Sequence, residues 1–261
     1  MIATFFSIST KKWIFSKNCQ LIKIKTGHNI SAPRWGALIS FLEIKLIRIK
    51  RYSVANKVLI AFFAFTGIVL QTGLYEGNFN IGVFRMFTNL TNLLCGIYFL
   101  FAAAAIAADK TRGGGQSPFP LVKGICTMSI TLTGIIAAAV VASEFDMHTP
   151  SGIATVLLHI VTPVMILADW LVFDTKGRWK KTYPLIWLIS PAVYFTYIMI
   201  SSLYIPKGTK LRFPYPFLNY ENLGVFWLIF AVTIISIFYV GIGYLCYLID
   251  RKMGRLEVTV P

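Results

Sequence analysis

The chain has 261 residues, 56% of them apolar and 13% charged, against roughly 45–50% and about 25% in an ordinary soluble domain. Folded in water, such a chain would carry large exposed apolar patches, so a soluble fold is excluded. Yet 25 Lys and Arg face 10 Asp and Glu, a net charge of +15, which taken alone points to a polyanion such as nucleic acid.

The distribution of charge along the chain decides between these readings. Residues 1–53 form a basic, partly amphipathic leader. Its apolar residues Phe5, Phe6, Trp13, Ile14 and Phe15 are interrupted by Lys11, Lys12 and Lys17, so no signal-peptide core forms. Residues 36–50 read either as a basic amphipathic helix on the membrane surface, or as a loose leader lying upstream of the functional start. A bilayer core about 30 Å thick needs roughly 20 mostly apolar residues per helix. Six runs qualify: 54–74, 87–108, 121–143, 153–173, 183–204 and 223–249. They lack the period-2 alternation of membrane barrels. The expectation is an all-α, polytopic membrane protein with six transmembrane helices over residues 54–255 and a short tail at 256–261.

Assigning the intervening segments to alternate sides puts 21 of the 25 basic residues on one side, against Arg85, Lys207, Lys210 and Arg212 on the other. By the positive-inside rule both termini face the cytoplasm. The surplus is then an orientation signal and a contact with anionic lipid headgroups at the cytoplasmic face, with no nucleic acid as partner. Tyr75, Trp170, Trp179, Tyr183, Trp187, Tyr204 and Tyr220 fall near the predicted interfaces, where amphipathic rings prefer to sit. The host membrane is the bacterial inner membrane for a prokaryotic chain, or the endoplasmic reticulum or plasma membrane for a eukaryotic one. Nothing in the sequence fixes an oligomeric state.

Cys19, Cys95, Cys126 and Cys246, with His28, His148 and His159, show no metal-ligand spacing, so neither metal nor cofactor is expected. Gly113 to Gly115 read as a turn, since no Lys-Ser/Thr follows to make a phosphate loop.

Polar groups inside a span mark where chemistry can sit. Thr88, Thr91, Asn92 and Cys95 share one helical face, with Asn89 beside them. His159 lies six residues into the fourth predicted span, roughly 9 Å deep. A threonine hydroxyl becomes a nucleophile when a base takes its proton, and a neutral imidazole can serve. The same residues also read as packing: Thr and Asn bond backbone or neighbouring helices, and His159 can be an interhelical bond. Asp169, about 15 Å further along the axis, reads as an interfacial ion pair near Arg178, Lys180 and Lys181, or as a helix-end hydrogen bond. Glu144, Asp146 and His148 lie in the short loop on the His159 side, and Tyr215-Pro216-Phe217 in the last loop can fold over the pocket as a lid.

Phe87-Thr88-Asn89-Leu90-Thr91-Asn92, His159-Ile160-Val161-Thr162-Pro163 with Asp169-Trp170, and Tyr215-Pro216-Phe217-Leu218 together resemble the androgen-induced-protein family of six-span membrane proteins and its bacterial relatives. The resemblance covers about residues 54–255. Animal members are threonine hydrolases of fatty acid esters of hydroxy fatty acids. It implies Thr88 as nucleophile and His159 as base, acting on the acyl ester of a membrane lipid. Asn89 or Asn92 would stabilise the oxyanion, and Thr91, Tyr215 and Phe217 would line the substrate site. The stretch Asn89-Leu90-Thr91-Asn92 is closer to the bacterial members than to the animal ones. Two other readings stand beside this one: a non-catalytic lipid-binding or scaffolding protein, and a small transporter using His159 as a proton relay.

Overall fold

Apolar runs with sparse charge become helices, and here they become six of them. The computed structural model describes residues 50–109, 115–140, 147–209 and 211–259. The leader with its Cys19, His28 and amphipathic segment, the glycine turn at 113–114, and Glu144 and Asp146 lie outside the described residues. The described residues form helices and no strands. Six helices are long and apolar enough to cross a bilayer: Lys50–Thr72, Phe87–Ala108, Pro120–Ala137, Pro150–Phe173, Tyr183–Ser202 and Val225–Arg255. They are called the first to sixth spans below.

Local chemistry sets their ends. Gly73, at φ 72°, stops the first span in a left-handed turn, a conformation that costs glycine little. The fourth span starts three residues earlier than the apolar pattern implies. The Thr149 hydroxyl accepts from the Gly152 N–H, and Pro150 fills a first-turn position where a missing N–H costs nothing. The sixth span starts after Gly224, at φ 86°, and its helix runs on to Thr259, its polar end carrying no proline.

The first span packs along the second and also against the fourth, while the third touches the second, fourth, fifth and sixth. That central place suits its Thr127, Ser129, Thr131 and Thr133, all buried: small hydroxyl residues let helices approach closely where no hydrophobic force drives them together. Gly124 extends this logic. A Cβ there would lie 2.4 Å from the indole of Trp187, so only glycine allows the third span against the fifth at this point.

Phe226, Ile229, Phe230, Ile237 and Leu248 of the sixth span point outward, as lipid-facing side chains do. Tyr75 and Tyr204 are exposed near helix ends, as expected of interfacial rings. The tryptophans are different. Trp170, Trp179 and Trp187 are buried, with Trp170 stacked on Trp179 at 4.7 Å and Trp179 edge-on to Trp187 at 4.9 Å. They form a core at one end of the bundle instead of a belt around it.

At that same end, three charges near the ends of the predicted spans turn inward. Lys57 and Asp169 are fully buried, and Lys123 is 1% exposed. Lys57 Nζ lies 3.0 Å from Asp169 Oδ1, Asn56 Nδ2 donates to the same oxygen at 2.9 Å, and Lys123 pairs with Asp169 Oδ2. Lys123 also reaches Asp174 at 2.6 Å, whose other oxygen accepts from the Ser117 hydroxyl. Asp169 is thus paired with lysines of the first and third spans, and not with Arg178, Lys180 or Lys181. An ion inside an apolar bundle must find its counter-ion there.

Candidate active site

Thr88 is the second residue of its span, and His159 lies nine residues beyond Pro150 in the fourth, roughly 13 Å along the axis. The two spans are neighbours, and Thr88 Oγ1 stands 3.2 Å from His159 Nε2. The other ring nitrogen, Nδ1, is 3.0 Å from the Thr155 carbonyl. A carbonyl only accepts, so Nδ1 carries the ring proton and Nε2 offers its lone pair to the Thr88 hydroxyl, which donates. The hydroxyl proton already points at the base.

The backbone of the fourth span makes this placement. Leu157–Val161 is a π-helical turn, and such turns often occur at functional positions. In it the Thr162 N–H bonds to the Leu157 carbonyl. The next donor in that register would be Pro163, which has none, so the Leu158 carbonyl is left without a partner from its own helix. Asn92 supplies it, donating through Nδ2 to Leu158 O at 3.1 Å and to Thr88 O at 2.9 Å. One amide therefore ties the carbonyl before His159 to the carbonyl of Thr88 itself. Gly67 lets the first span close on the same turn, since a Cβ there would lie 2.6 Å from Leu158 Cδ2.

The neighbouring polar residues bond within the bundle. Asn89 donates to Val83 O at 2.7 Å, bracing the short helix before the span. Thr91 Oγ1 bonds the Thr88 carbonyl at 3.1 Å and meets Thr133 Oγ1 at 3.3 Å. Both amide hydrogens of Asn92 are committed to carbonyls. The stripe that reads as a substrate surface makes interhelical and helix-end bonds.

Tyr215 and Phe217 are placed differently. The Tyr215 hydroxyl accepts from the Phe87 N–H at 3.1 Å, one of the first-turn donors that a helix cannot satisfy itself. Arg85 holds the loop down: its guanidinium donates to the carbonyls of Leu211 and Arg212 and to the Ser201 hydroxyl. Phe217 stacks on Tyr215 at 5.5 Å. Burial raises the Tyr215 phenol above its ordinary pKa, opposed in part by the Thr88 and Phe87 groups, so it stays neutral at physiological pH.

Both rings border a cavity of about 240 Å³ between the third, fifth and sixth spans, with mainly apolar walls that include Leu132, Pro191 and Val232. Thr88 and His159 do not line it, whereas Phe87, the residue before Thr88, does. Among the described residues no group of three His, Cys, Asp or Glu converges as a metal site would require. Comparison with protein-family models, with curated proteins and with solved structures finds none that matches this chain.

Proposed function

We propose that this integral membrane protein hydrolyses the fatty-acyl ester of a membrane lipid, with Thr88 as nucleophile and His159 as general base. The observation that carries the reading is the Thr88–His159 contact, in the tautomer imposed by the Thr155 carbonyl. The resemblance to the androgen-induced-protein family supports it independently, through the same two residues.

The chemistry balances with these groups alone. Thr88 Oγ1 bonds to the ester carbonyl carbon as its proton passes to His159 Nε2. The tetrahedral adduct collapses, and the leaving alkoxide takes that proton and departs as an alcohol. Water then loses a proton to the same nitrogen and attacks the acyl-threonine; collapse returns the proton to Oγ1 and frees the fatty acid. The apolar cavity beside Tyr215 takes the acyl chain. The charge asymmetry of the loops supports an orientation with both termini cytoplasmic and the site in the outer half of the bilayer.

The test is ester-lipid turnover by purified protein in nanodiscs. Thr88→Ala and His159→Ala are each expected to lower kcat by at least about 10²-fold. Turnover by wild type that survives both substitutions would overturn the assignment.

A further inference from the structure

An acyl transfer needs a donor aimed at the oxygen that becomes negative, and the side-chain amides next to Thr88 are engaged with backbone carbonyls. Asn92 gives both amide hydrogens to carbonyls, Asn89 bonds Val83 O, and the Phe87 N–H is taken by Tyr215. Tyr215 remains.

We propose that the Tyr215 phenol is the oxyanion donor of this site, delivered from the last extramembrane loop to a nucleophile on the second span. The inference rests on the hydrolase reading and extends it. The directions of the hydrogen bonds assign the proton. Thr155 O fixes His159 Nδ1 as donor, so Nε2 accepts from Thr88, and the Thr88 oxygen is left with lone pairs to receive. The Tyr215 oxygen already accepts from the Phe87 N–H, so its own proton is free to turn toward Thr88. During attack one Oγ1 lone pair becomes the new C–O bond, and the carbonyl π pair moves onto the carbonyl oxygen. The phenol proton donates to that oxygen as the charge develops, while the O–H bond of Tyr215 stays intact.

The placement suits the role. Tyr215 borders the apolar cavity with its ring while its hydroxyl is held at the N–H of Phe87, the residue before Thr88, so an acyl chain leaving the cavity passes the phenol on its way to the nucleophile. Stacking on Phe217, an edge contact with Tyr194 at 6.2 Å and the Arg85 tethers hold the ring before substrate arrives. Burial keeps the phenol protonated.

The test uses the full chain in nanodiscs with p-nitrophenyl decanoate, following the nitrophenolate burst and the acyl-Thr88 adduct by mass spectrometry. Tyr215→Phe keeps the ring and its packing, and is expected to slow acylation about 10²–10³-fold with little change in KM. Should that variant fold poorly, 3-fluorotyrosine at position 215 preserves the hydroxyl and its acceptor bond but strengthens the donor. Acylation then changes rate, which a purely structural helix cap would not produce. Equal acylation by wild type and Tyr215→Phe, or by wild type and the fluorinated protein, overturns the role of Tyr215 alone. Failure of wild type to form acyl-Thr88 overturns the hydrolase reading instead.

Discussion

At Thr88 the hydroxyl and the methyl group have separate duties, and substitution can divide them. Thr88→Ser keeps the proton aimed at His159 and is expected to retain measurable ester turnover. Thr88→Val keeps the shape, removes the nucleophile and is expected to lose turnover at least about 10²-fold. The unfolding midpoint of Thr88→Val falls only by the loss of one hydrogen bond, about 1 kcal/mol. Parallel kinetics and thermal melts of the two variants check this, and equal activity of both would be fatal to a threonine nucleophile. The pair itself was legible in the sequence, because a lone histidine and a threonine toward the same side of two apolar spans are conspicuous. The roles of the residues around it were not. A stripe of Thr and Asn looks the same whether its amides face a ligand or a carbonyl, and the Leu158 carbonyl that claims Asn92 is invisible until the helix register is known. Tyr215 is far from Thr88 in sequence, and only the loop anchored by Arg85 brings them together.

At the scale of a single helix, the fourth span holds the most information. It contains two π turns, Leu157–Val161 and Asp169–Phe173, and each carries one of its ionisable residues. Span existence followed from apolar length alone, and all six observed spans begin within four residues of the apolar pattern's start. The π turns did not follow, since Pro163 is compatible with a kink, an ordinary first turn or a widened one. Asn92 and Pro163 are therefore coupled through a carbonyl that neither owns. Asn92→Leu leaves Leu158 O buried without a donor and is expected to cost about 1–3 kcal/mol. Pro163→Ala restores a backbone N–H to the turn, so Asn92→Leu should cost less in that background. Melting curves of the two single variants and the double variant measure the coupling, and strict additivity would refute it.

Across the whole molecule, the charge map has two components that composition alone merges. The sequence assigns most basic residues to one side of the bundle, but Lys57 and Lys123 are buried ion-pair partners of Asp169. The sequence did place all three at the same end of the bundle; it did not show that they turn inward, because side-chain direction around a helix end cannot be read from depth. Asp169→Leu leaves two buried lysines short of a counter-ion and is expected to destabilise by about 3–5 kcal/mol. Adding Lys57→Met restores the balance, leaving Lys123 with Asp174, and should recover part of that loss in a detergent melt. No recovery would mean that Lys57 and Asp169 contribute independently. Orientation has its own measurement. In a Cys19→Ser background the cysteines at 95, 126 and 246 are buried, so an impermeant maleimide reads introduced sites. A cysteine at Lys207 should label from outside intact cells, and one at Arg251 only after permeabilisation; the reverse pattern would invert the topology.

The buried pairing also imposes an order on how the chain enters its membrane. Synthesis runs from the N-terminus, so the first span emerges with Lys57, eighth in its helix, more than a hundred residues before Asp169 exists. An unpaired lysine at the centre of a helix costs about 2.5–3.5 kcal/mol on insertion scales, less toward the ends. The first span therefore meets the bilayer with a debt that only the fourth span can cancel, and Lys123 of the third arrives in the same condition. Lateral release of the early spans into lipid is unfavourable until Asp169 docks, which binds the first four helices into one assembly step. The same docking sets the fourth span against the first and second, the neighbours among which Thr88 meets His159. Final insertion and assembly of the Thr88–His159 pair are thus one event.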